Sequence, residues 1–266
     1  MKKLLLIALA AMMCLGALVS CGSGAKDWAY IEEKGNMVIG ITLYEPMNYY
    51  DDNGKLIGFD TEFAEAICAK LGVTPEFQVI EWEQKENELK SKTIDVIWNG
   101  LTVTEERKEN MAFSTAYVSN KQVVVIKAAN AEKFATLEGM AGASCVAENG
   151  SAGETAIQTN DILSKNAYVA ASAQKDALLE VKAGTSDLAV IDLVMAQASI
   201  KEGTDYADLM IVEGIELTAE EYAIGLRLED TEFLAKINAA IDEMVADGSL
   251  AALAEKYGLT DVFAFK

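Results

Sequence analysis

Residues 94–108 read I-D-V-I-W-N-G-L-T-V-T-E-E-R-K and gather most of the groups that hold a small anion. Ile94, Val96, Ile97 and Trp98 predict a strand. The chain then turns at Asn99-Gly100 and passes Thr102. Thr104 with Glu105 and Glu106 predicts a helix start, with Arg107 in its first turn. A cation there opposes the helix dipole at a cost of roughly 0.3–1 kcal/mol, which the two glutamates offset. Strand, Gly turn, hydroxyls, free helix N–H groups and a guanidinium together make a receptor for a carboxylate. The plain alternative is a surface arginine paired with Glu105 or Glu106.

Other positions join this one. Asp192 interrupts an apolar run, Leu188-Ala189-Val190-Ile191 before it and Leu193-Val194-Met195 after it. A buried acid needs a partner; otherwise Asp192 is the N-cap of a helix over 193–200. Glu148-Asn149-Gly150-Ser151-Ala152-Gly153 follow a short strand at 145–147 and lead into a helix around Ala156. This loop is either a second nest for a polar group or a simple turn. Tyr44 and Trp82 lie just past predicted strands at 37–41 and 77–80, as Asn99 and Gly100 lie just past theirs. In parallel α/β sheets ligands sit outside the carboxyl ends of the strands. Taken singly, Tyr44 and Trp82 are ordinary loop aromatics at a core edge.

The elements that must position these residues alternate. A strand at 37–41 precedes a turn at Asp51-Asp52-Asn53-Gly54-Lys55. A helix capped by Asp60 runs to Leu71 and stops at Gly72. A strand at 77–80 and a polar helix at 83–90 follow. This alternation predicts an α/β fold with mostly parallel sheet. Lys121-Gln122-Val123-Val124-Val125-Ile126-Lys127 is strongly β, and 222–228 predicts another strand. Two amphipathic helices close the chain, one lined by Phe233, Ile237, Ile241 and Met244, the other by Leu250, Leu253, Ala254 and Tyr257. Residues 88–100 and 180–192 echo one another: a helix end, Thr-x-Asp, then an apolar strand with a polar residue at its far end. Two similar βαβ halves would form two lobes with a cleft between them.

Composition narrows the chemistry. With 51% hydrophobic residues and 2 prolines the chain can build a core. Its net charge is −20, which argues against nucleic acid or an anionic membrane surface as partner. There is no histidine, which removes His-based triads and most zinc sites, and no spaced Asp loop suggests calcium. Neither a metal nor a cofactor is expected. Lys2 and Lys3 precede an uncharged run over 4–20, the pattern of a secretory signal. Losing residues 1–20 removes those two charges and takes the net charge to −22. Leu18-Val19-Ser20-Cys21 resembles the lipobox of bacterial lipoproteins, in which cleavage precedes a diacylglycerol-bearing cysteine. An uncleaved membrane anchor is the rival. Gly22-Ser23-Gly24-Ala25 then forms a tether. Cys68 and Cys145 remain in the folded body as expected free thiols in different lobes.

Asn53-Gly54-Lys55-Leu56-Ile57-Gly58-Phe59-Asp60, the stretch from Ile94 through Arg107, residues 187–192, and the tail Ala246-Asp247-Gly248-Ser249 with Glu255-Lys256-Tyr257-Gly258 carry a family match. Over nearly the whole mature length the chain resembles the extracellular solute-binding proteins (family 3) of polar amino-acid ABC transporters. The resemblance implies a two-lobe, type II periplasmic-binding-protein-like α/β fold with a ligand cleft between lobes joined by two crossovers. It implies a signal peptide at 1–20, a lipidated Cys21 and tether at 21–35, lobe 1 over 36–118 plus 219–266, and lobe 2 over 122–213. Arg107 would grip a ligand α-carboxylate, with Thr102, Ser151 and backbone groups near Asn99 and Gly100 completing that shell. Asp192 would take the α-ammonium, and Tyr44 and Trp82 would sandwich the side chain. Glu45 and Glu148 depart from the family pattern, and either has the reach for a polar or cationic ligand tail. Ala152 replaces a common hydroxyl residue.

The implied role is non-enzymatic. A monomer on the outer face of the cell membrane, periplasmic in a Gram-negative cell, would pass an amino acid to an ABC permease. The alternatives are a dehydratase of the cyclohexadienyl or arogenate type on the same fold, with Glu45 or Glu148 as acid, and a sensory binding module.

Overall fold

The computed structural model describes residues 26–265; the expected signal, Cys21 and residues 22–25 lie outside them. The rest of the expected 21–35 tether is not a plain linker, because Asp27–Lys34 form a helix that buries Trp28 and Ile31. Strands β1 (Asn36–Ile41), β4 (Thr74–Val79), β5 (Val96–Ile97), β6 (Met111–Phe113) and β12 (Gly225–Arg227) form one sheet in the order β4-β1-β5-β12-β6. Strands β7 (Val118–Lys127), β8 (Ser144–Glu148), β9 (Ala167–Ala171), β10 (Leu188–Asp192) and β11 (Leu209–Tyr222) form the other, in the order β11-β7-β10-β8-β9. A small hairpin of β2 (Tyr49–Tyr50) and β3 (Leu56–Ile57) closes the Asp51–Lys55 turn.

Each sheet holds a parallel trio, β4-β1-β5 and β9-β8-β10, completed by two antiparallel strands. The expectation of mostly parallel sheet therefore holds for the trios only. The chain passes from the first sheet to the second between Phe113 and Val118 and returns between Tyr222 and Gly225. The crossing strands β7 and β11 pair with each other up to Val118↔Tyr222, and Tyr117 N donates to Tyr222 O at 2.9 Å. Two lobes thus share one hydrogen-bonded double connection, and the cleft opens between them.

Strand β7 explains its own composition. It lies between β10 and β11, and Val123, Val124, Val125 and Ile126 are all buried, so the run is continuously apolar rather than alternating. The helix Phe59–Leu71 packs Phe63 edge-on to Trp98, with ring centroids 5.0 Å apart. Gly72 ends it in the left-handed region at φ 73°, as expected for that stop.

Two local expectations are corrected. Asp60 is not the N-cap; Gly58 is. Asp60 lies inside the first turn, fully buried, and its Oδ2 accepts from Gly100 N at 2.6 Å and Tyr117 Oη at 3.0 Å. These donors, 40 and 57 residues away, outcompete the local cap. Residues 222–228 are not one strand, because β11 ends at Tyr222 and β12 starts at Gly225. The C-terminal helix Thr231–Ala246 buries Phe233, Ile237, Ile241 and Met244 as expected. Cys68 and Cys145 are buried free thiols, and burial pushes Cys68 up to about 12.

Candidate functional site

Arg107 is oriented from its own backbone outward. Thr104 is the N-cap of the short helix Glu105–Lys108, and its Oγ1 accepts from Arg107 N at 3.1 Å. Arg107 is thereby turned inward and is 8% exposed. Its Nη1 donates to Thr102 O at 2.7 Å and its Nη2 to Gly150 O, on the other lobe, at 3.2 Å. The surface alternative is excluded, because Glu105 pairs with Lys108 instead. Carbonyls fix the plane of the guanidinium, and among the described residues no carboxylate forms a salt bridge with it. Its remaining donors therefore suit an incoming carboxylate.

Asn99 and Gly100 shape this wall more than they donate into it. Asn99 Oδ1 accepts from Thr42 Oγ1 at 2.7 Å, and its Nδ2 donates to Thr42 O at 2.9 Å and Asn48 Oδ1 at 2.7 Å. The Gly100 N–H is taken by Asp60. Gly100 has φ +57°, and a Cβ there would stand 2.6 Å from Tyr44 Cε1, so only glycine fits. Burial raises Asp60 to about 7, against the pull of the Gly100 N–H and the Tyr117 hydroxyl.

The facing wall comes from the second sheet. Asp192 ends β10 and occupies the N-cap position of the helix Leu193–Ser199, but its side chain makes no cap bond. Its carboxylate instead accepts from Asn120 Nδ2, from Gln122 Nε2 at 2.8 Å and from Gln174 Nε2. Gln174 Oε1 accepts from Asp192 N at 3.0 Å. Asn120 and Gln122 also donate to Glu220 Oε2 at 3.0 Å each, and Thr102 Oγ1 donates to it at 3.1 Å. Two acids share one pair of amides. Burial, followed by the Glu220 charge, raises Asp192 to about 6. Ser151 is the N-cap of the helix Ala152–Thr159 and accepts from Glu154 N at 3.1 Å, which leaves its hydroxyl proton to donate.

One cavity between the lobes is lined by Trp82, Asn99, Gly100, Thr102, Arg107, Glu148, Ser151, Ala152, Gln174 and Asp192. Nine of these ten positions were singled out in the sequence, Ala152 as a departure from the family pattern. Two expected residues are elsewhere. Tyr44 is buried behind Gly100, its hydroxyl hydrogen-bonded with Tyr222 Oη at 2.6 Å, and it is not among the residues that line the cavity. Glu45 is exposed and lines a separate groove with Tyr49, Gln197 and Lys201.

Sequence reasoning missed Gln174, Asn120, Gln122, Glu220 and Lys85. Gln174 follows the carboxyl end of β9, the same rule that singled out Trp82. Asn120 and Gln122 are two apart on β7 and so share a face. Lys85 carried no such signal. It is 4% exposed, and its Nζ donates to Trp82 O at 3.2 Å and to Gly150 O at 2.9 Å and lies 5.0 Å from the Trp82 ring centroid. Burial, then the Arg107 charge, lowers it to about 8. Gly150 O therefore receives two cations from the opposite lobe. Asn149 Nδ2 adds a third tie, to Glu83 Oε2 at 2.7 Å. Gly150 has φ +70°, and a Cβ there would stand 2.9 Å from Glu83 Cα. The lobes meet in the closed arrangement.

The model of the bacterial extracellular solute-binding proteins, family 3, matches residues 37–260. The chain belongs to this family. It is 29% identical over 234 residues to the L-cystine-binding protein TcyJ of Escherichia coli (strain K12), covering 87% of this chain and 86% of that one. Among solved structures, an ABC uptake transporter substrate-binding protein from Streptococcus pneumoniae with bound histidine superposes with a TM-score of 0.81 at 32% identity. That match covers 89% of this chain and 98% of that one. The ancestral amino-acid-binding protein AncCDT-1, a precursor of cyclohexadienyl dehydratase, superposes with a TM-score of 0.78 at 27% identity, covering 89% and 98%. The two-lobe type II fold is thus the family's, and solute binding outside the cytoplasm, in amino-acid transport, is the family's function.

Proposed function

We propose that this chain is a lipid-anchored receptor for a free L-amino acid, closing on its ligand and delivering it to an ABC importer. The supporting observation is that Arg107 and Asp192, from opposite lobes, line the same cavity. A zwitterion needs a cation and an anion set apart in a dry site, and among the described residues neither Arg107 nor Asp192 is joined in a salt bridge. The α-carboxylate binds Arg107 with Ser151 and backbone groups near Thr102, whose own hydroxyl donates to Glu220. The α-ammonium binds Asp192, reinforced by the Glu220 charge behind it. Trp82 packs on the side chain. Lobe 1 is proposed over 36–118 plus 219–266 and lobe 2 over 122–213. Because the ligand touches both, binding draws the equilibrium to the closed form about the β7–β11 connection. The relative's cystine and the neighbour's histidine support an amino-acid ligand.

The receptor works as a monomer held through acylated Cys21, facing outward, with the permease as its protein partner. Mass spectrometry of ligand released from the purified protein should find a free amino acid. A Cys21→Ala chain should lose lipid label; retained label would refute the anchor.

A dehydratase is the second reading. Its support is Glu148, raised to about 8 by burial and by the Asp192 charge and so a proton donor at neutral pH, together with the likeness to AncCDT-1. Product formed from arogenate or prephenate would favour it; binding without turnover favours the receptor.

A further inference from the structure

Glu148 differs from every other acid around the cavity in having nothing to do there. It ends β8 with its backbone fixed: it pairs with Ala171 of β9, and its carbonyl accepts from Ser151 N at 3.1 Å. The residue is 2% exposed and its side chain lines the cavity. Its Oε1 is buried without any hydrogen-bond partner. Asp192, on the same wall, takes three amide donors, and Glu220 takes four donors. An unpartnered buried carboxyl costs stability, so the position needs something the protein itself does not supply.

The charges that act on Glu148 come from both lobes. Asp192 and Asp176 oppose its ionisation, while Lys85 and Arg107 favour it. Lys85 is committed to the carbonyls of Trp82 and Gly150, and Arg107 to those of Thr102 and the same Gly150. Once a zwitterion has matched Arg107 and Asp192, the group left to satisfy in the wall is an acid. Trp82 lines the same cavity from the other lobe. A carboxylate beside an aromatic ring is the pairing that receives a cationic nitrogen.

We propose that Glu148 sets the specificity of the site and that the ligand is an amino acid with a second, cationic nitrogen at the end of its side chain. This rests on the amino-acid reading above. The cationic end takes the orphaned Oε1 and its twin oxygen as acceptors, and Glu148 gives up its proton to do so. A neutral tail would leave Glu148 protonated.

Calorimetry with L-arginine against its neutral isostere L-citrulline, and L-lysine against L-norleucine, tests this on the wild-type chain and on Glu148→Gln. The wild type should prefer the cationic member of each pair. Glu148→Gln should weaken arginine by roughly 10- to 150-fold, the span of a hydrogen bond to a charged group, and leave citrulline nearly unchanged. Repeating the arginine titration at pH 7 in two buffers of different ionisation enthalpy counts protons. The wild type should release up to about one proton, because Glu148 starts near 8, and Glu148→Gln should abolish most of that release. Equal binding of arginine and citrulline, or equal losses for both in Glu148→Gln, would overturn the proposal. So would tight binding of neutral or acidic amino acids alone, although the amino-acid site would then stand. Binding of no amino acid at all would remove the underlying reading as well.

Discussion

Asp95 and Asp187 stand at corresponding places in the two lobes, one residue before β5 and β10. Both tie down the start of the neighbouring parallel strand. Asp95 accepts from Val38 N at 2.7 Å and pairs with Lys34; Asp187 accepts from Ser144 N at 2.8 Å and Ser144 Oγ at 3.0 Å. At the far ends of the same strands the lobes diverge. Asn99 is neutral and satisfied within its own lobe. Asp192 is an acid raised to about 6 by burial and by Glu220. The charge of the first lobe's wall comes instead from Arg107, on the turn beyond. Near ends, where the two lobes agree, serve folding. Far ends, where they differ, make one wall cationic and the other acidic, and that difference is what a zwitterion bridges.

Removing the charge from either wall should have the largest effect. Stripping one partner from a desolvated charge pair costs roughly 3–5 kcal/mol, so Arg107→Ala and Asp192→Ala should each weaken amino-acid binding by about two to three and a half decades. Calorimetry measures this, and near-wild-type affinity in either variant would remove that wall from the site.

The contact between the walls is tested at Gly150. Gly150→Ala puts a Cβ 2.9 Å from Glu83 Cα across the cleft and strains a residue at φ +70°. The closed form should suffer most, and affinity should fall by about tenfold, as for a cost near 1.4 kcal/mol. Small-angle scattering should show the ligand-loaded variant more open than the wild type; an equally closed complex would contradict the contact.

The acidic wall should also respond to pH. Asp192 holds an ammonium only when ionised, and its value of about 6 lies above the ordinary carboxylate range. Protonation therefore competes with ligand as pH falls. Affinity should drop below about pH 6, by up to about tenfold per pH unit, and Asp192→Asn should lose that dependence.

The last effect concerns folding rather than binding, and leaves affinity aside. Asp60 is raised to about 7 in the fold by burial, so between its unfolded value near 4 and 7 the native state holds the extra proton. Stability should fall as pH rises through that window, by up to about 1.4 kcal/mol per unit from this one group. Asp60→Asn should flatten the slope in denaturant unfolding.

Those same residues mark what the sequence made legible. The strand–helix alternation, the apolar β7 run, the Gly72 stop and the Thr104 cap are local signals, and each stands where its pattern puts it. Trp82 was legible from the strand-end rule, Ser151 from the Gly-rich loop after a strand, Arg107 from the Gly turn and helix start, and Asp192 as an acid interrupting an apolar run; all four line the cavity. Asp60 was misread because its donors come from Gly100 and Tyr117, far along the chain. Tyr44 obeys the same strand-end rule yet turns to Tyr222, which no local pattern announces. Lys85 is one of two lysines on a polar helix; only the packed lobes bring it to Gly150.

The opposition of the two walls is tested most directly by a selectivity measurement. Calorimetry compares an amino acid, its α-carboxamide and its deaminated acid on the wild-type chain, Arg107→Ala and Asp192→Ala. The wild type should reject both analogues. Arg107→Ala should lose its preference for the free carboxylate over the amide yet still require the amine. Asp192→Ala should lose its preference for the amine yet still require the carboxylate. Analogue preferences that stay unchanged in both variants would contradict a zwitterion held between Arg107 and Asp192.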